Sequence, residues 1–119
     1  MSKSFAFGKE AEARAEKYFL AQGYTILERN YYYGKAEVDL IVQKDALLVA
    51  VEVKARRSDY FGPPESFVSQ KQINRLITAI DAYIQKRDLW VEVRFDILSF
   101  TLKNGQWQQK HIENAFYSF

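Results

Sequence analysis

Small and apolar residues recur at helical spacing near the start of the chain, where Ala11, Ala15, Tyr18 and Phe19 line one side and Glu12, Arg14, Glu16 and Lys17 the others. This pattern predicts a first helix over Phe5 to Gln22, closed near Gly23. The β-branched and aromatic stretch Tyr24 to Tyr33 predicts a strand, and its three consecutive tyrosines lead into Gly34. Two apolar segments follow, Ala36 to Gln43 and Leu47 to Ala55. Only Lys44-Asp45-Ala46 separates them, so they predict a hairpin central to the sheet.

From Arg57 to Val68 the chain passes through Gly62-Pro63-Pro64, where two prolines forbid helix and disfavour a central strand, so this is a loop. Ser69-Gln70-Lys71-Gln72 has the form of a capping box, and Ile73, Leu76, Ile77, Ile80 and Ile84 then fall on one stripe. A second helix is expected over Gln70 to Lys86. Leu89 to Leu102 contains the β-prone run Val91 to Leu98, and Gly105 turns the chain into a last strand around Trp107 to Ile112. The resulting order, α-β-β-β-α-β-β, describes an α/β sandwich with a mixed sheet. No linker or repeat interrupts it, and 119 residues suit one domain, 1–119, with a core of its own.

Composition narrows the chemistry. The chain is 48% apolar and 27% charged, as in an ordinary globular protein. It has no cysteine, which excludes disulfide scaffolds, thiolate-zinc sites and cysteine nucleophiles, and one histidine, His111, which excludes a histidine-rich metal cluster. Any metal site must use carboxylates and carbonyls, the ligands of Mg²⁺ or Mn²⁺. Met1 to Phe7 lacks the apolar core of a leader and no later run approaches a membrane span, so a cytoplasmic protein with no membrane partner is expected. The formal charge of +2 does not by itself announce a nucleic-acid binder.

The local distribution of charge has to carry that argument. Strand side chains alternate, so Glu37 and Asp39 share one face while Val38, Leu40 and Val42 take the other. On the next strand Glu52 and Lys54 face opposite Val49, Val51 and Val53. Charges in a mostly apolar strand pair are unfavourable unless paired or coordinating. Two carboxylates converging from neighbouring strands, Asp39 and Glu52, with the backbone carbonyl of Val53, make a site for a divalent cation. Lys54 beside it would orient water or offset developing charge, which together suffice for phosphodiester hydrolysis. The plainer alternative is a cross-strand ion pair in which Lys54 neutralises an acid.

At these residues the chain resembles the PD-(D/E)XK, restriction-endonuclease-like nuclease superfamily, and more closely the YraN-like family of uncharacterised bacterial proteins related to archaeal Holliday-junction resolvases. The resemblance runs through Gly8 with Ala11-Glu12, Gly23-Tyr24, Arg29-Asn30, Gly34 with Glu37 to Ile41, Val51 to Lys54 with Arg56-Arg57, Phe61-Gly62, Lys71 and Arg94-Phe95-Asp96. It implies an α-β-β-β-α-β core, a nucleic-acid substrate, Asp39, Glu52 and Lys54 as the catalytic motif, and Glu12 as a helix-borne acid beside them. Val38 stands where the superfamily's name has proline, a common departure.

Around the motif, Arg56, Arg57, Lys71 and Arg75 join Lys54 against two acids, Asp59 and Glu65, between positions 54 and 75. That is the bias a phosphate-tracking surface needs, although charge runs usually form solvated faces. Lys71 is oddly placed, since a cation in a helix's first turn opposes the macrodipole unless an anion is near. Glu12 and Glu37 are metal-site acids or solvated charges. Tyr31 to Tyr33 read as strand residues before base-stacking ones, Phe61-Gly62-Pro63-Pro64 as a substrate-covering loop or a rigid connection, His111 as a surface strand residue, and Asp96 as a stabiliser of the fold. The leading expectation is a metal-dependent DNA endonuclease, on branched or structured DNA by analogy, with a homodimer where two cuts are coordinated. Its rivals are a non-catalytic nucleic-acid-binding module keeping a relic site, and a protein-interaction domain docking an acidic partner.

Overall fold

The computed structural model describes residues 3–57 and 68–116, with side chains from residue 6 onward. The Phe61-Gly62-Pro63-Pro64 loop lies outside the described residues. Its elements are α1 (Lys3–Ala21), β1 (Thr25–Tyr33), β2 (Ala36–Lys44), β3 (Leu47–Arg56), α2 (Gln70–Arg87), β4 (Glu92–Lys103) and β5 (Gln106–Ile112). The strands form one sheet in the order β1-β2-β3-β4-β5, so β3 is central. Neighbours are antiparallel except β3 and β4, which run parallel from Leu47↔Glu92 to Arg56↔Thr101. A parallel pair needs a crossover, and α2 supplies it.

Each helix covers one face of the sheet. Ala11, Ala15 and Phe19 recur every fourth residue along α1 and are fully buried against Leu40, Val42, Val49, Val51, Leu98 and Phe100. The two alanines let the helix axis approach the strands closely. On the opposite face Leu76, Ala79, Ile80 and Tyr83 of α2 pack on Val38, Ile41, Leu48, Ala50, Phe95 and Ile97. Side chains such as Phe19, Ile41, Leu48 and Ile97 are shielded from water completely, each worth about 1.5–3 kcal/mol relative to exposure. Ser69 caps α2 by accepting from the Gln72 N–H at 3.1 Å, and Asp88 ends the helix in the left-handed region at φ 52°. Among the described residues no helix is long and apolar enough to cross a membrane.

A polar knot holds the α1 side. Asp96 is fully buried on β4. It accepts two hydrogen bonds from the Arg94 guanidinium at 2.9 Å each, one from His111 Nε2 at 2.7 Å and one from the Asn114 N–H at 3.0 Å. Burial acts most strongly to raise the Asp96 pKa, but His111, Arg94 and the Asn114 amide together outweigh it and hold it below the ordinary carboxylate value. With Nε2 donating to Asp96, His111 Nδ1 is left to accept from the Tyr18 hydroxyl at 2.8 Å. His111 is therefore not a surface strand residue: its side chain is only 14% exposed and links α1 to β4 from β5. Asp96 does brace the fold, as its sequence setting suggested.

Candidate active site

The β2–β3 ladder runs from Lys44↔Leu47 only as far as Leu40↔Val51. Beyond it β2 stays with β1 and β3 stays with β4, so a cleft opens in the sheet. Asp39 sits at the point of divergence. Its Oδ2 accepts from the Val53 N–H at 2.8 Å, replacing the next backbone bond of the broken ladder. The divergence also changes which way β2 faces, because Val38 packs on the α2 side whereas Leu40 packs on the α1 side. The simple alternation that grouped Val38 with Leu40 and Val42 does not survive this opening.

Glu52 follows Leu48 and Ala50 on the α2 face of β3 and is 8% exposed. Its Oε1 lies 3.4 Å from Lys54 Nζ, and its buried Oε2 has no hydrogen-bond partner. Such an orphaned carboxylate oxygen is unfavourable by itself and calls for a cation or a proton. Burial pushes the Asp39 carboxyl up to about 8, aided by the neighbouring Glu52 and opposed by the Val53 amide, with Glu37 and Glu12 adding smaller repulsions. Burial likewise raises Glu52, against the pull of Lys54, Gln72 and Asp39. Two acids in one desolvated cleft cannot both ionise freely, so the pair favours keeping a proton.

A pocket of about 330 Å³ opens on this pair, lined by Lys35, Glu37, Asp39, Glu52, Ser69, Lys71, Gln72 and Arg75 among others. Hard oxygen donors suited to Mg²⁺ or Mn²⁺ are available from Asp39 and Glu52. The N–H and C=O of an extended residue point to the same side, so the Val53 carbonyl follows its N–H toward the cleft. Among the described residues no three acidic or histidine side chains converge on one metal position, which leaves water to complete any coordination shell. Glu12 is near enough to act on the Asp39 charge, yet its Oε2 pairs with Lys9 Nζ at 3.2 Å.

The structure divides the basic residues that sequence grouped together. Lys71 and Arg75 line the pocket. Arg57 lies across the sheet, its guanidinium carbon 4.4 Å from the centre of the Phe7 ring, which stacks on Trp107. Arg56 is half-buried at the end of β3. Three polar pocket residues escape the sequence reading. Lys35 sits in the β1–β2 turn and enters through folding alone; Ser69 and Gln72 read from sequence only as a capping box, although both also line the pocket.

A five-stranded mixed sheet with α1 and α2 on opposite faces, split beside buried Glu52, half-buried Asp39 and a lysine, defines an α/β protein of restriction-endonuclease-like architecture. The chain belongs to the uncharacterised protein family UPF0102, the YraN-like family, whose model matches residues 11–100. A UPF0102 protein of Christiangramia forsetii is 41% identical over 119 residues, covering 100% of both chains. One from Phocaeicola vulgatus is 39% identical over 117 residues, 98% of this chain and 97% of the relative. One from Hahella chejuensis is 41% identical over 109 residues, 88% of each.

Proposed function

We propose that this chain is a Mg²⁺- or Mn²⁺-dependent phosphodiesterase acting as an endonuclease on DNA. The observation that carries the reading is the orphaned, buried Glu52 Oε2 beside Asp39, whose proton is held up to about 8. A fold that needed only a salt bridge would have no use for a second desolvated acid there. Asp39, Glu52 and the Val53 carbonyl would hold the cation, which when bound supplies Lewis-acid polarisation of the phosphate and a more acidic water. Val53 N–H fixes the Asp39 carboxylate in position. Lys54, 26% exposed and tied to Glu52, holds a compact positive charge at the edge of the acids, where it offsets charge building on the attacked phosphate and orients the water. Lys35, Lys71 and Arg75 present cations to the flanking phosphates.

Incubation of the purified protein with linear, nicked, flapped and four-way DNA, in Mg²⁺, in Mn²⁺ and in chelator, tests the proposal. Metal-dependent cleavage lost in Asp39→Asn and Glu52→Gln supports it. Tight binding without cleavage of any substrate overturns it in favour of a binding module with a relic site.

A further inference from the structure

A second groove of about 350 Å³ adjoins the acidic pocket, sharing Lys35, Ala36, Lys71 and Arg75 with it, and extends along Tyr33, Gly34, Asn74 and Thr78. Its two walls are the β1–β2 turn and the first turns of α2. No acid lines it. None of Lys35, Lys71 and Arg75 forms an ion pair within the described residues, although elsewhere Lys9, Arg14, Arg29, Arg87 and Arg94 each have a carboxylate partner. Three unpaired cations round one groove repel one another unless an anion enters, and Lys71 does so at a helix start that already favours anions.

The aromatic wall adds a different chemistry. Tyr33 is 45% exposed at the rim, and its ring stacks on no other ring among the described residues, whereas Tyr31 packs edge-on against Tyr83. Gly34 lets the chain turn at φ 58° directly after Tyr33, and both residues line the groove. Cations along a groove plus an open aromatic face is the arrangement that holds a single strand, phosphates on the charges and a base on the ring. A base inside a duplex has both faces covered by its neighbours and cannot use that ring.

We propose that this groove receives an unpaired nucleotide next to the cleaved phosphate, with Lys35, Lys71 and Arg75 on its phosphates and its base stacked on Tyr33. The substrate is then DNA with a single-stranded segment at the cut, such as a flap or a splayed arm. This rests on the nuclease reading for the cut itself, but the groove's occupancy is measurable without cleavage.

The test uses the full chain in chelator with a short single strand carrying 2-aminopurine and with the matching duplex. Wild type and Tyr33→Phe should quench the 2-aminopurine. Tyr33→Ala should abolish quenching and weaken single-strand binding by about tenfold while leaving duplex binding unchanged. Lys71→Ala combined with Arg75→Ala should weaken both forms. Tyr33→Ala that keeps quenching and affinity, or that weakens strand and duplex equally, overturns the proposal. A protein that never cuts yet shows Tyr33-dependent quenching keeps the groove and loses the nuclease reading. Cleavage of fully paired and flapped DNA at equal rates by wild type and Tyr33→Ala does the reverse.

Discussion

Asp39 Oδ2 and the Val53 N–H are hydrogen-bonded at 2.8 Å across the gap where β2 and β3 part. The bond fastens an acid to the strand position between Glu52 and Lys54. Because it favours the ionised carboxylate while burial and Glu52 favour the neutral one, Asp39 is held between two protonation states, with burial winning.

That balance sets a pH dependence. The folded Asp39 binds its proton more tightly than the unfolded chain, with a pKa near 8 against 3.8. The stabilisation it confers is therefore full below the unfolded value and is lost as pH rises through the folded one. Urea melts of metal-free protein should show stability falling between about pH 4 and pH 8. Asp39→Asn should flatten that fall; an unchanged slope would remove Asp39 as its source.

Metal binding should run the other way. A cation must displace the shared proton, so affinity should rise with pH and binding should release a proton into the buffer near neutrality. Calorimetry in buffers of different ionisation enthalpy reads that proton directly. Glu52→Gln should eliminate the binding heat, and a heat independent of buffer would show that the acids were already ionised.

Lys54→Ala should slow single-turnover cleavage on the order of 10²-fold while DNA and metal affinity change little, because its contact strengthens as charge develops on the phosphate. Lys54→Arg should not recover full activity, since a planar guanidinium places its charge elsewhere. Loss of binding in proportion to loss of rate would assign Lys54 to substrate grip alone.

The separation of basic residues predicts unequal salt effects. Removing Lys71 or Arg75 should lower the magnitude of the log affinity against log salt slope for DNA by about 1 each. Arg57→Ala should leave it nearly unchanged, because Arg57 is across the sheet on Phe7. Equal effects at all three positions would mean that DNA wraps the sheet edge.

Arg94→Ala should destabilise the protein by about 3–5 kcal/mol, since it leaves the fully buried Asp96 without its guanidinium. Arg94→Met combined with Asp96→Leu should recover much of the loss. Denaturant midpoints measure both, and a single variant as stable as wild type would show that His111 and Asn114 suffice.

The acids were legible in the sequence because Glu-Val-Asp and Glu-Val-Lys stand at strand spacing on either side of a short turn. Charge in an apolar strand has few structural reasons. The helices and strands were legible from periodicity, and the mixed character of the sheet from the order of its elements. What escaped was non-local. His111 meets Tyr18 across 93 positions, and no local pattern encodes that meeting. Val38 departs from strict alternation because β2 and β3 part beside it, a property of the sheet and not of either strand. Proximity in sequence groups Arg57 with Lys54, whereas Arg57 stands just past the end of β3 and turns to Phe7 on the other side of the sheet.

The order in which the pieces join also follows from the topology. Asp45 and Ala46 alone turn β2 into β3, while the parallel ladder must bring Leu47 to Glu92. Closing the short turn is fast and closing the long crossover is slow. Asp39 and Glu52 thus become neighbours while the chain is still open to water, where their repulsion is weak. The conflict between them arises only when α2 settles over the cleft and dries it. Protonation of the pair in the metal-free protein is therefore a gauge of how firmly that helix is seated: any loosening of α2 returns water to the acids and lets them release their proton.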